Sequence, residues 1–176
     1  LSQEMGITMQ QRQLATHQYN TMSSDIKKIV NALMAKGQYD QALHIRQYQM
    51  SKKNANDLTI NDWIDQINVL QNKYNGATDA TEKSLAQREL LNMYEKVERD
   101  FSTDPQVCSI YYSHAYMLTQ TEENPKTGNA LAIYTKLFNL EASNLSRDSN
   151  DEQYIAVAAN YLGIHYFFNS DYDKAM

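Results

Sequence analysis

Four histidines and one cysteine are the residues best equipped for chemistry in this chain. His17, His44, His114 and His165 are scattered. None stands in a His-Glu-x-x-His arrangement, and none has further ligands within one helical turn that would complete a metal site. Cys108 has no second cysteine to pair with and no neighbouring histidine in sequence, so it reads as a small buried hydrophobe before it reads as a nucleophile. The glycines at 6, 37, 76, 128 and 163 are too dispersed for a Gly-rich phosphate loop. The tyrosines between Tyr154 and Phe168 suit an inter-helix core better than an aromatic ligand cage. No catalytic residue, metal ligand set or cofactor is expected, and no enzyme activity; His114 and His165 are expected as satisfied core or groove histidines.

Composition narrows the field further. The 176 residues hold 16 basic and 21 acidic side chains, a net charge of −5, which is the wrong balance for nucleic-acid binding by this segment. Two prolines and five glycines are too few to turn the many short strands of an all-β fold, so long helices are the default. The longest apolar stretch, Tyr154 to Phe168, is short and interrupted by Asn160 and His165, and no membrane span is expected. The chain opens on Leu1 and its last residues run into what reads as a new helix, so it is expected to be an excerpt of a longer protein. Nothing in it requires an oxidising compartment. That favours the cytoplasm, with a removed signal or an upstream anchor left open.

Helical periodicity supplies the elements. Residues 1–22 are rich in Gln and Met and read as a linker or an N-terminal helix; residues 23–176 read as an array of helical hairpins. Ile26, Ile29, Val30, Leu33 and Met34 mark one buried face, stopped by Gly37, and a second helix carries Tyr39, Ala42, Leu43 and Tyr48. Thr59 and Asp62 form a box-like start before Ile60, Trp63, Ile64, Ile67 and Leu70, and Asn75-Gly76 ends that helix. Ala86, Leu90, Met93, Tyr94, Val97 and Phe101 follow. Asp104-Pro105 starts the stripe Val107, Ile110, Tyr111, His114, Ala115 and Leu118, and Asn124-Pro125 starts that of Ala130, Leu131, Tyr134, Leu137 and Phe138. Ser149 with Glu152 is expected to cap a last long helix, apolar on most of its circumference and hence sandwiched between neighbours.

These hairpins repeat. Tyr161-Leu162-Gly163-Ile164-His165-Tyr166, followed by Ser170-Asp171-Tyr172-Asp173-Lys174-Ala175, resembles the tetratricopeptide repeat (TPR), and Gly37, Tyr39 and Ala42 fit the same frame with Leu33 in place of the tyrosine. Tyr116 and Ala130 fit with an enlarged turn. From Ala42 to Leu90, Leu90 to Ala130 and Ala130 to Ala175 is 48, 40 and 45 residues, against roughly 34 in the family. The resemblance implies an all-α superhelical solenoid of about three and a half hairpins with the last repeat truncated. It also implies a close helix crossing at Gly163.

Function follows from that resemblance rather than from any reactive group. It implies a protein or peptide interaction module whose concave face is built from the first helix of each hairpin. Lys27, Asn31, His114, Asn160 and Ile164 are the expected partner-binding residues there, with Ile110 and Met117 as apolar company. Lys27 and Asn31 fall where carboxylate-clamping members of the family carry a lysine and an asparagine, although Val107 and Tyr111 stand where further basic residues would be needed. The alternative is the peptide-sensing region of a bacterial TPR-containing transcriptional or signalling regulator. Self-association through the truncated last repeat is a further expectation.

Overall fold

Gly37 and Ser170 hold left-handed backbone, with φ of 71° and 58°, and each ends a helix in the same way. At the first, Gln38 N–H donates to Leu33 C=O (2.9 Å) and Gly37 N–H to Met34 C=O (3.0 Å); at the second, Asp171 N–H donates to Tyr166 C=O (3.0 Å) and Ser170 N–H to Phe167 C=O (3.1 Å). Both are Schellman endings, in which one left-handed residue closes the helix and turns the chain back. The first is the Gly37 stop read in the sequence. The second falls on a serine, which lacks glycine's freedom at positive φ. Ser170→Gly is expected to raise stability by up to about 1 kcal/mol in a denaturant titration, and Gly37→Ala to lower it by a similar amount.

The computed structural model describes residues 2–121, 128–140 and 148–175, and no strand occurs among them. Among the described residues eight α-helices follow one another: α1 Ser2–Ala35, α2 Tyr39–Ser51, α3 Ile60–Gly76, α4 Ala80–Asp100, α5 Val107–Thr121, α6 Asn129–Asn139, α7 Ser149–Phe168 and α8 Tyr172–Ala175. The fold is all-α, with α1 packed on α2 in one region and α5, α6, α7 and α8 packed in succession in another. It divides into two compact units, Leu1–Leu58 with Ile64–Ala86, and Thr59–Trp63 with Gln87–Met176.

In the first unit α1 and α2 form the hairpin closed by Gly37. Helix α1 runs unbroken through residue 22. At about 1.5 Å per residue it is some 50 Å long, whereas α2 spans about 20 Å. A partner that short covers only part of it: Val30 is buried, but Ile29 is exposed, contrary to the single buried face read in the sequence. Tyr48 is likewise exposed. Helices α2 and α3 run antiparallel. Asp40 pairs with Lys73 at 2.9 Å, Arg46 with Asp65 at 3.0 Å, and Gln66 donates to the Met50 sulfur. The Tyr39 ring lies so close over Gly76 that a Cβ there would sit 3.1 Å from the Tyr39 Cε2. Gly76 thus marks a close approach as well as a helix end.

The second unit holds the larger core. Leu90, Tyr94 and Val97 of α4, Val107 and Cys108 of α5, and Leu137 of α6 are fully buried. Ala42, Leu90 and Ala130, the small-residue positions of the repeat frame, are all fully buried. Tyr116 is exposed, so it does not fill the inter-helix space that the frame gives its tyrosine. Several expected starts move. Thr59 N–H does donate to Asp62 Oδ2 (2.9 Å). Asp104 Oδ1 accepts from Gln106 N–H (2.9 Å), but the helix proper begins two residues beyond Pro105. Asn124-Pro125 lies outside the described residues, and Gly128 is the N-cap of α6. The last cap belongs to Asp148 with Asp151, not Ser149 with Glu152.

Helix α7 also differs from expectation. Only Ile155, Ala158 and Leu162 are buried along its length. Tyr112 of α5 stacks on Tyr154 at 4.5 Å and Tyr134 of α6 packs on Tyr161 at 4.3 Å, so α7 is held on one side. Val157, Asn160, Ile164, Phe167 and Phe168 on its other flank are exposed. A Cβ built at Gly163 would meet the Ala175 carbonyl oxygen at 3.5 Å, an ordinary contact, so the approach of α8 among the described residues does not demand glycine.

Candidate functional site

Two features of the second unit concentrate unusual chemistry. The first begins with an acid on an apolar stripe. Helix α4 buries Leu90, Tyr94 and Val97, and Glu98, one turn after Tyr94, comes inward with them, 6% exposed. A buried carboxylate needs a partner, and His114 of α5 provides it: Nδ1–H donates to Glu98 Oε1 at 2.6 Å. The imidazole is itself only 3% exposed and stacks on Tyr94 with ring centroids 5.4 Å apart. From α6, Lys136 reaches over the Tyr111 ring, 6.0 Å from its centroid, with Nζ 3.9 Å from Glu98 Oε2. Together these residues line a cleft of about 440 Å³ between α4, α5 and α6, walled also by Leu91, Leu118 and Ile133, with Glu95 and Arg99 on the α4 side. Burial, reinforced by the Glu98 charge, raises the Tyr111 hydroxyl above the usual tyrosine range. Burial also pushes Tyr134 up to about 12.

The second feature is the uncovered side of α7. Val157, Asn160, Ile164, Phe167 and Phe168 follow helical spacing, and Ile164, Phe167 and Phe168 are 50%, 59% and 68% exposed. Asn160, Ile164 and both phenylalanines line a second cleft of about 570 Å³ with Ala159, Gly163 and Ala175.

The expected binding residues therefore separate. Lys27 and Asn31 are exposed one turn apart on α1, in the first unit. Asn160 and Ile164 are exposed and share the α7 cleft. His114 is not a surface anchor: its ring is buried and spent on Glu98, and Ile110 and Met117 are buried with it. The His114 nitrogen is taken by Glu98, and Ile110 and Met117 pack inside the core, so these three leave the proposed face. His165 lies on α7 with its ring edge-on to Tyr166. Glu98 and Lys136 escaped the sequence reading; a glutamate one turn beyond a tyrosine on a buried stripe was the available sign. Among the described residues no group of three His, Cys, Asp or Glu is placed to hold a metal ion, and no helix is long and apolar enough to cross a membrane.

No protein-family profile matches the chain, and no curated protein or solved structure matches it either.

Proposed function

We propose that this chain is an interaction module of tetratricopeptide-like helical hairpins that binds an amphipathic segment of another protein along α7. The observation that carries this reading is the run of large apolar side chains exposed on one helix face, with Asn160 at its edge. Scattered exposed apolar residues are ordinary, whereas a contiguous patch is the mark of an interaction surface. An apolar groove edged by an amide suits a partner helix that inserts apolar anchors at helical spacing while its backbone or polar face meets the asparagine. The matching turns at Gly37 and Ser170, each five residues before an alanine, support the repeat reading.

Ile164→Asp combined with Phe167→Ala is expected to weaken a purified partner at least tenfold, because both anchors lie in the centre of the stripe. Helical circular dichroism should not change, since neither side chain is in the core. A partner that binds the variant as well as the wild type would overturn the reading. So would light scattering that shows a dimer of this chain dissociated by the same substitutions, which would give the face to a second copy.

A further inference from the structure

We infer that the cleft between α4, α5 and α6 is a receptor for a basic side chain, arginine or lysine, of a partner protein, and that Lys136 occupies it as an internal substitute. This site is distinct from the α7 face. Its source in a protein partner rests on the interaction-module reading; the cation site itself does not.

Glu98 carries the argument. Its side chain is 94% buried and lines the cleft, and a carboxylate in such a place accepts several hydrogen bonds when satisfied. Oε1 has the His114 donor at 2.6 Å. The cation facing Oε2 is the Lys136 ammonium at 3.9 Å, beyond hydrogen-bond reach. The same ammonium stands 6.0 Å from the Tyr111 centroid, at the outer limit of a cation–π contact. Lys136 is thus at the edge of both interactions, and its side chain is 56% exposed.

The cleft has what a longer or better-aimed cation would use. Leu91, Leu118 and Ile133 offer apolar walls to an alkyl stem, Tyr111 a ring face, and Glu98 with Glu95 two carboxylates. Its other lining cation, Arg99, gives its Nε–H to Asp100 at 3.0 Å. The volume of about 440 Å³ lies within the range of small-ligand sites, roughly 300 to 1,000 Å³. A chain of net charge −5 also draws basic partners.

The test is titration of the whole chain with N-acetyl-arginine amide, followed by the chemical shifts of Tyr111 and His114. Binding in the range of millimolar is expected, with the neutral N-acetyl-citrulline amide leaving the shifts unmoved. Lys136→Met removes the competing ammonium and should tighten binding about tenfold, a gain that misfolding cannot produce. Glu98→Gln keeps an oxygen for His114 and should weaken binding at least about tenfold, with Glu95→Gln weakening it less. Equal response to arginine and citrulline amides, or loss of binding in Lys136→Met, would overturn the site, as would acetate or phosphate binding that depends on Lys136. A glycine-flanked arginine peptide should bind better than the diamine putrescine; the reverse order would overturn the assignment to a protein partner.

Discussion

Replacing His114 with alanine should destabilise the fold by about 2 kcal/mol, in the range for leaving a buried acceptor without its donor. The substitution removes the donor held 2.6 Å from Glu98 Oε1 and leaves a carboxylate that is 6% exposed on the wrong side of its desolvation cost. It also strips the ring stacked on Tyr94, itself fully buried. Two features keep the loss from the top of the range: the cleft lets water approach Glu98, and Lys136 can close from 3.9 Å. The double variant Glu98→Leu with His114→Leu should recover most of the loss, because it removes both polar groups and keeps the volume. Urea titrations of wild type, Glu98→Leu, His114→Leu and the double variant form the necessary cycle. If His114→Ala melts with the wild type, the pair is not the polar centre of this core.

How much of this was legible in the sequence follows from what each residue had to satisfy. The stripe Val107, Ile110, Tyr111, His114, Ala115 and Leu118 is buried at every position, because α5 packs against both α6 and α7 and its exposed side is confined to the flank that carries Tyr116. Helix α7 shows the opposite. Its apolar residues run nearly all the way round, so their distribution names no buried side, and which flank stays open depends on neighbours that periodicity does not describe. The turn at Ser170 was hidden because a serine does not announce positive φ, while Gly37 does. Glu98 and Lys136 join His114 through three separate helices, and a site assembled across helices leaves only a faint local sign, here one acid on an apolar stripe.

Leu90→Ala is expected to cost about 3 kcal/mol, and it tests the repeat frame as well as the core. Leu90 is fully buried on α4, where Ala42 of α2 and Ala130 of α6, at the corresponding frame positions, are fully buried alanines. A leucine cannot occupy a crossing closed around a methyl group without pushing the helices apart, so the space around Leu90 is built for the larger side chain. Emptying it loses the transfer energy of the removed atoms and leaves a cavity. Ala86, Tyr94 and Val97 on the same helix face are all fully buried and held by their own packing, so they can collapse into that cavity only in part. Leu85, five residues earlier on the same helix and 44% exposed, is the control, and Leu85→Ala should change stability by no more than about 0.5 kcal/mol. A Leu90→Ala loss no larger than that of Leu85→Ala, read from denaturant midpoints at unchanged slope, would mean that α4 can settle onto an alanine as α2 and α6 do. The helices would then share one crossing geometry, and α4 would differ from α2 and α6 at this position in side-chain size alone.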